Sequence, residues 1–141
     1  MLQLVDVGHK PLADYASLAT RGLMDEIRRL AEPIAGKRVV HLSATAFGGG
    51  VAEINYALIP LMRDVGLDVE WRIITGADEF FTVTKTIHNA LQGDTRGLTD
   101  GQKQIFRRFN AANAEQFDDD YDFVIIHDPQ SAFVIEHFPS S

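Results

Sequence analysis

Apolar positions in this chain follow two spacings, which alternate from segment to segment and divide it into short extended runs and longer helical ones. After a brief apolar start at residues 2–7, which predicts an edge strand, Leu18, Leu23, Ile27, Leu30 and Ala31 recur near helical spacing and predict a helix over residues 12–35 that Gly36 ends. Val39, Val40 and Leu42 mark a strand at residues 38–43. A second helix over residues 51–65 carries Val51, Ile54, Leu58, Leu61, Met62 and Val65 as its apolar stripe, with a bend expected at Pro60 and a cap at Gly66. Val69, Trp71 and Ile73 then alternate with Asp68, Glu70 and Arg72, which predicts a strand toward the sheet edge, packed on one face and partly wet on the other.

Phe80, Val83, Thr84, Ile87 and Leu91 define a third helix closed by Gly93, and a polar loop through Gly97 leads to a fourth over residues 99–117 with Ile105, Phe106 and Phe109 buried. The acidic run at residues 118–120 reads as a solvated helix end and turn. Residues 123–126 form a continuous apolar run, the pattern of a central parallel strand covered on both faces, and a short helix is expected over residues 131–137. Strands and helices in this order give an α/β fold, a parallel sheet flanked by helices.

Composition narrows the function. A chain of 141 residues without internal repeat or linker is expected to form one domain. Its 20 acidic and 13 basic side chains, a net charge of −7, argue against nucleic acid and against docking on an anionic membrane, so a small ligand is expected. The absence of cysteine rules out a disulfide framework and fits a cytoplasmic setting. The N-terminal ten residues lack the pattern of a signal peptide, and no apolar run reaches membrane-spanning length.

The first candidate site is Gly48, Gly49 and Gly50, which join the 38–43 strand directly to a helix. Glycines let the backbone turn tightly and let a ligand approach peptide N–H groups, while the helix aims its positive end at the same point, so phosphate or pyrophosphate is the natural guest. The spacing matches neither a dinucleotide fingerprint nor a Walker loop. A tight turn with nothing bound explains the same residues.

A second candidate lies at the carboxyl end of the 123–126 strand. There His127 can donate to a sugar hydroxyl or phosphate oxygen, Asp128 can accept from a hydroxyl, and Pro129 fixes the turn before Gln130. The alternative is that His127 and Asp128 only cap the next helix. Lys85, His88, Asn89 and Gln92 share one polar helix face, suited to sugar hydroxyls and equally to the wet side of an amphipathic helix. His41, between apolar neighbours, reads as a core histidine without a role, and Trp71 as core. His9 and His137 have no spacing partner, and neither a metal site nor a cofactor is expected. No nucleophile elbow or zinc-protease motif occurs.

Three segments, VVHLSATAFGGGVAEINYALIPLMRDVGLDVEWRII, EFFTVTKTIHNALQG and DFVIIHDPQSA, occur in family order and resemble the N-terminal part of the glycosyltransferring trehalose synthases and the related trehalose phosphorylases. The resemblance runs over residues 12–138. It implies the GT-B architecture, two Rossmann-like domains facing each other across a cleft, and glucosyl transfer with retention from a nucleotide-glucose, UDP- or ADP-glucose, to free glucose, giving trehalose. It further implies that Gly48, Gly49 and Gly50 face the donor diphosphate and that His127 touches the donor sugar near the reacting carbon, with Asp128 and Gln130 in the same motif. Lys85, His88, Asn89 and Gln92 would line the acceptor side.

Family members run to several hundred residues, and their second domain supplies the nucleotide pocket, a basic pair on the phosphates and paired glutamates. Residues 1–141 are therefore expected to be an incomplete N-terminal half, without the nucleotide-binding domain and inactive alone. A clamp on the departing diphosphate and closure of two domains around the activated sugar would both be lacking. Trehalose phosphorolysis, a freestanding sugar or phosphate binding module, and an interaction protein that kept the fold are the other readings. Exposed strand edges lead us to expect a homo-oligomer in each case.

Overall fold

The computed structural model describes residues 1–117 and 120–137. Strands β1 (Gln3–Leu4), β2 (Arg38–Ser43), β3 (Asp68–Ile73) and β4 (Phe123–Ile126) form one sheet in the order β1-β3-β2-β4. β2 pairs in parallel with β3 and with β4, and β1 pairs antiparallel with β3. Helices α1 (Arg21–Ala31), α2 (Gly50–Asp64), α3 (Asp78–Leu91) and α4 (Asp100–Ala114) flank it. The expected α/β layer is present, with a short antiparallel edge in place of a wholly parallel sheet.

Strand alternation divides the packing into two layers. Val39, Val69, Trp71 and Ile73 point to one face, where Ala31 of α1 and Ala52 and Ile59 of α2 cover them. Leu42 and Ile74 pack on the other with Phe80 and Val83 of α3, Phe106 of α4 and Val134. Trp71 is fully buried, donates its indole Nε1–H to Ser43 Oγ at 2.8 Å and meets the Tyr56 ring edge-on. The indole thus contributes its large apolar area to the core without an unpaired donor.

Several expectations require correction. The helix expected over residues 12–35 is divided: Leu12–Tyr15 and Glu32–Ile34 are 3₁₀ turns, and only Arg21–Ala31 is α-helical. Thr20 is the cause at the N-terminal side, since its hydroxyl accepts from the Leu23 N–H at 3.2 Å and starts a new helix there. Leu18, Leu23 and Leu30 consequently stay exposed, and Met24 and Ala31 supply α1's buried face. On α2 the buried face is Ala52, Asn55, Ile59 and Pro60, so the expected stripe is rotated, with Ile54 and Leu58 exposed. The helix runs on through Pro60.

β3 lies inside the sheet between β1 and β2, and its supposed wet face is covered at Arg72. That guanidinium is 7% exposed, is neutralised by Glu70 at 2.7 Å and donates to the Leu2 carbonyl. Tyr121 donates to the same Glu70 carboxylate, and burial followed by that carboxylate pushes its phenol up to about 12. β4, expected at the centre, is the last strand of the sheet among the described residues, and Phe123 is 47% exposed. Its apolar run reflects a strand with one neighbour here. The helix expected over residues 131–137 is a 3₁₀ segment, Pro129–His137, and Asp118 and Asp119 of the acidic run lie outside the described residues. No described helix is long and apolar enough to cross a membrane.

Candidate functional site

β2 and β4 are parallel neighbours, and the chain leaves their carboxyl ends toward opposite faces. From β2 it enters α2, which joins the Trp71 layer, whereas from β4 it enters Pro129–His137, whose Val134 joins the Phe80 layer. Two strand ends that diverge in this way leave a crevice between them, the usual place for ligands in open α/β sheets. The glycine corner and the histidine-aspartate corner are its two rims.

Gly48 and Gly49 have φ of 70° and 82°, in the region that L side chains avoid, and a Cβ on either would meet nothing. Glycine is required there by the turn. Gly50 differs, because its φ is ordinary and a Cβ would also meet open space. Nothing in the packing demands glycine at that position, which leaves room for a guest against the backbone. No side chain caps the N-terminus of α2, so its first N–H groups are left available for an anion. Thr45 braces the loop by exchanging two hydrogen bonds with the Phe47 backbone, and Phe47 itself is 78% exposed.

At the other rim, the His127 N–H donates to the Leu42 carbonyl at 2.8 Å, continuing the β2 and β4 pairing by one residue. Asp128 follows at φ 66°, a left-handed conformation that aspartate tolerates better than most residues. Its side chain is exposed and makes no hydrogen bond among the described residues, so it does not act as a helix cap. Two polar side chains hold the turn: Ser131 Oγ donates to the His127 carbonyl, and the buried Asn110 of α4 donates Nδ2–H to the Gln130 carbonyl at 3.1 Å.

The His127 ring is half-buried and stacks on His41, with Nε2 at 3.0 Å from His41 Nδ1. His41 is 1% exposed, and burial, followed by the facing His127, pushes it down to about 4, with Asn55 opposing. Burial also lowers His127, so both rings are neutral at neutral pH. The reading of His41 as a histidine without a role is therefore incomplete. Its position inside an apolar strand carried no sign of a partner 86 residues away.

Lys85 and His88 of α3 come together with Gln130, Phe81 and Thr84 around a cleft of about 330 Å³. Gln92 Nε2 lies 3.0 Å from His88 Nε2, one turn further along, whereas Asn89 does not line this cleft. A hollow of about 390 Å³ between Ile87, Leu91, Phe106 and Phe133 is almost wholly apolar. Sugars need convergent polar groups, so the Gln130 cleft is the better candidate. Among the described residues no cluster of three or more histidines and carboxylates could hold a metal ion.

Residues 41–141 match the family described as the trehalose synthase N-terminal domain. This chain belongs to that family. The match takes in both rims, from His41 through the glycines to the His127 turn. The chain is 50% identical over 139 residues to a trehalose synthase of Rubrobacter xylanophilus, covering 96% of this chain and 33% of the relative. It is 47% identical over 131 residues to a trehalose synthase of Thermococcus litoralis, covering 92% and 32%. With a trehalose phosphorylase of Pleurotus pulmonarius the identity is 32% over 145 residues, covering 89% and 20%. The chain spans about a third of the length of the trehalose synthases it matches.

Proposed function

We propose that this chain is the acceptor-side wall of a retaining glucosyltransferase that forms trehalose from a nucleotide-glucose and glucose. The observation that carries the reading is the adjacency of the glycine corner and His127 at the diverging ends of β2 and β4, in a chain of this family. In this reading the N–H groups of Gly48 to Gly50 and the positive end of α2 face the donor diphosphate as its charge grows. Gly50, without a packing reason to be glycine, marks the closest approach.

His127 donates to a donor-sugar oxygen, and Asp128, exposed beside it, accepts from a hydroxyl. Gln130, Lys85 and His88 bind glucose in the cleft they share. Gln92 holds His88, and Asn89 contributes from further along α3. One helix end and a glycine loop supply only part of the charge stabilisation that a leaving diphosphate requires. The remainder comes from protein outside these residues, so the chain alone binds and does not turn over. Higher identity to the synthases than to the phosphorylase favours transfer to glucose over transfer to phosphate.

Calorimetric titration of this chain with glucose, trehalose and UDP tests the proposal. Saturable binding of a sugar or of UDP that His127→Ala or Gly50→Ala weakens at least tenfold supports it. Silence with all three, or binding indifferent to both substitutions, overturns it.

A further inference from the structure

The hydrogen bond between the His41 and His127 rings requires one proton in a 3.0 Å gap, and two neutral rings can supply it in two ways. If His127 Nε2 carries it, His41 must hold its own single proton on Nε2. That nitrogen is buried, and no protein atom accepts from it. If instead His41 Nδ1 carries the bridging proton, only a lone pair is left at the buried His41 Nε2. An orphaned buried N–H is rarer and costlier than an orphaned lone pair, so the second arrangement is favoured. Asn55, fully buried on α2, does not alter this, since neither its Nδ2 nor its Oδ1 makes a hydrogen bond.

We infer that His41 is a positioning residue that donates Nδ1–H to His127 Nε2, and so fixes His127 in the tautomer whose remaining proton sits on Nδ1. His127 Nδ1 makes no hydrogen bond to the described residues. The ring therefore presents the crevice with a donor of fixed direction and not with a lone pair. A donor suits an electron-rich sugar or phosphate oxygen, and a lone pair would instead accept from a hydroxyl. Stacking at 28° between the ring planes holds His127 against rotation about its own bond. The inference rests on the sugar-site reading for its purpose, though not for its geometry.

Long-range ¹H–¹⁵N correlation spectra of the ¹⁵N-labelled chain at neutral pH read the tautomer directly, with the His127 signals assigned by their loss in His127→Gln. The expected result is a protonated Nδ1 and a bare Nε2 on His127, the minor form of free imidazole. In His41→Leu the population moves to a majority with Nε2 protonated, and in His41→Asn, whose amide can donate across the same gap, Nδ1–H is restored. A wild-type His127 protonated on Nε2 overturns the inference, as does an unchanged tautomer in a folded His41→Leu. Should the leucine variant fail to fold, the wild-type spectrum decides alone. No ligand is needed, so the predicted tautomer together with silent sugar titrations would retain the positioning and remove the sugar site.

Discussion

Leu42 and His127 are tied by a backbone hydrogen bond of 2.8 Å, so the histidine stands level with Ser43, the last residue of β2. The two rims of the crevice are therefore set by one ladder, and the spacing between them is a matter of β2 and β4 register. Register is strongly specified where a strand face is buried, as it is for Val39 and Leu42.

Gly49 and Gly50 separate folding from binding. Gly49→Ala forces a side chain onto a backbone with φ 82° and should destabilise the chain by about 1–3 kcal/mol. Gly50→Ala meets no atom and replaces glycine at a helix start, so its stability should be unchanged or raised by up to about 1 kcal/mol. Urea midpoints measure both. A Gly50→Ala chain that is stable yet binds UDP as well as the wild type would place the diphosphate elsewhere.

Stability should fall as the pH drops from about 6.5 toward 4. His41 binds its proton near 4 when folded and near 6.5 when unfolded, so within that window the unfolded chain holds more protons and acid favours it. His127, lowered by burial, acts in the same sense. The contribution present at pH 7 is on the order of 2 kcal/mol. Thermal midpoints of wild type and His41→Leu at a series of pH values should converge toward pH 4.5. A parallel offset at every pH would show that His41 does not titrate on unfolding.

Asn113 and Asn110 of α4 are buried and serve the backbone of other elements. Asn113 accepts from the Thr75 N–H at 2.6 Å and donates to the Thr75 carbonyl at 2.8 Å, pinning the chain just beyond β3. Asn113→Ala leaves two Thr75 groups unpaired and should cost about 2–4 kcal/mol, whereas Asn110→Ala, which frees one carbonyl of the His127 turn, should cost about 1–3 kcal/mol. Equal effects in equilibrium unfolding would contradict this order.

Trp71 is the one tryptophan and is fully buried, so native fluorescence should be blue-shifted and should move to the red on unfolding. Ser43→Ala removes the acceptor of its indole N–H and should cost about 1–3 kcal/mol. An emission maximum near that of free tryptophan in the folded chain would contradict the packing.

Local signals carried much of this fold into the sequence. The Val39, Val40 and Leu42 run, the alternation through Trp71, and the glycines at 66 and 93 marked β2, β3 and the ends of α2 and α3 to within a residue or two. What escaped depends on partners distant in the chain. The face of α2 was misjudged because Asn55 is buried while Ile54 and Leu58 are not, and hydrophobicity alone ranks them the other way. Arg72 looked wet until Glu70 and the Leu2 carbonyl enclosed it. The two candidate corners were legible as strand ends, and their adjacency follows from the β2 and β4 pairing, but the His41 partner of His127 had no local signature.

Asn110 spans α4 and the turn after His127 with a single amide group, donating to the Phe106 and Gln130 carbonyls. A helix that never borders the crevice thereby acts as its anchor: sliding α4 by a fraction of a turn would tug directly on the loop bearing Asp128. Rigidity at the rim is thus borrowed from the far layer, and substitutions chosen to loosen the crevice will work best when aimed there.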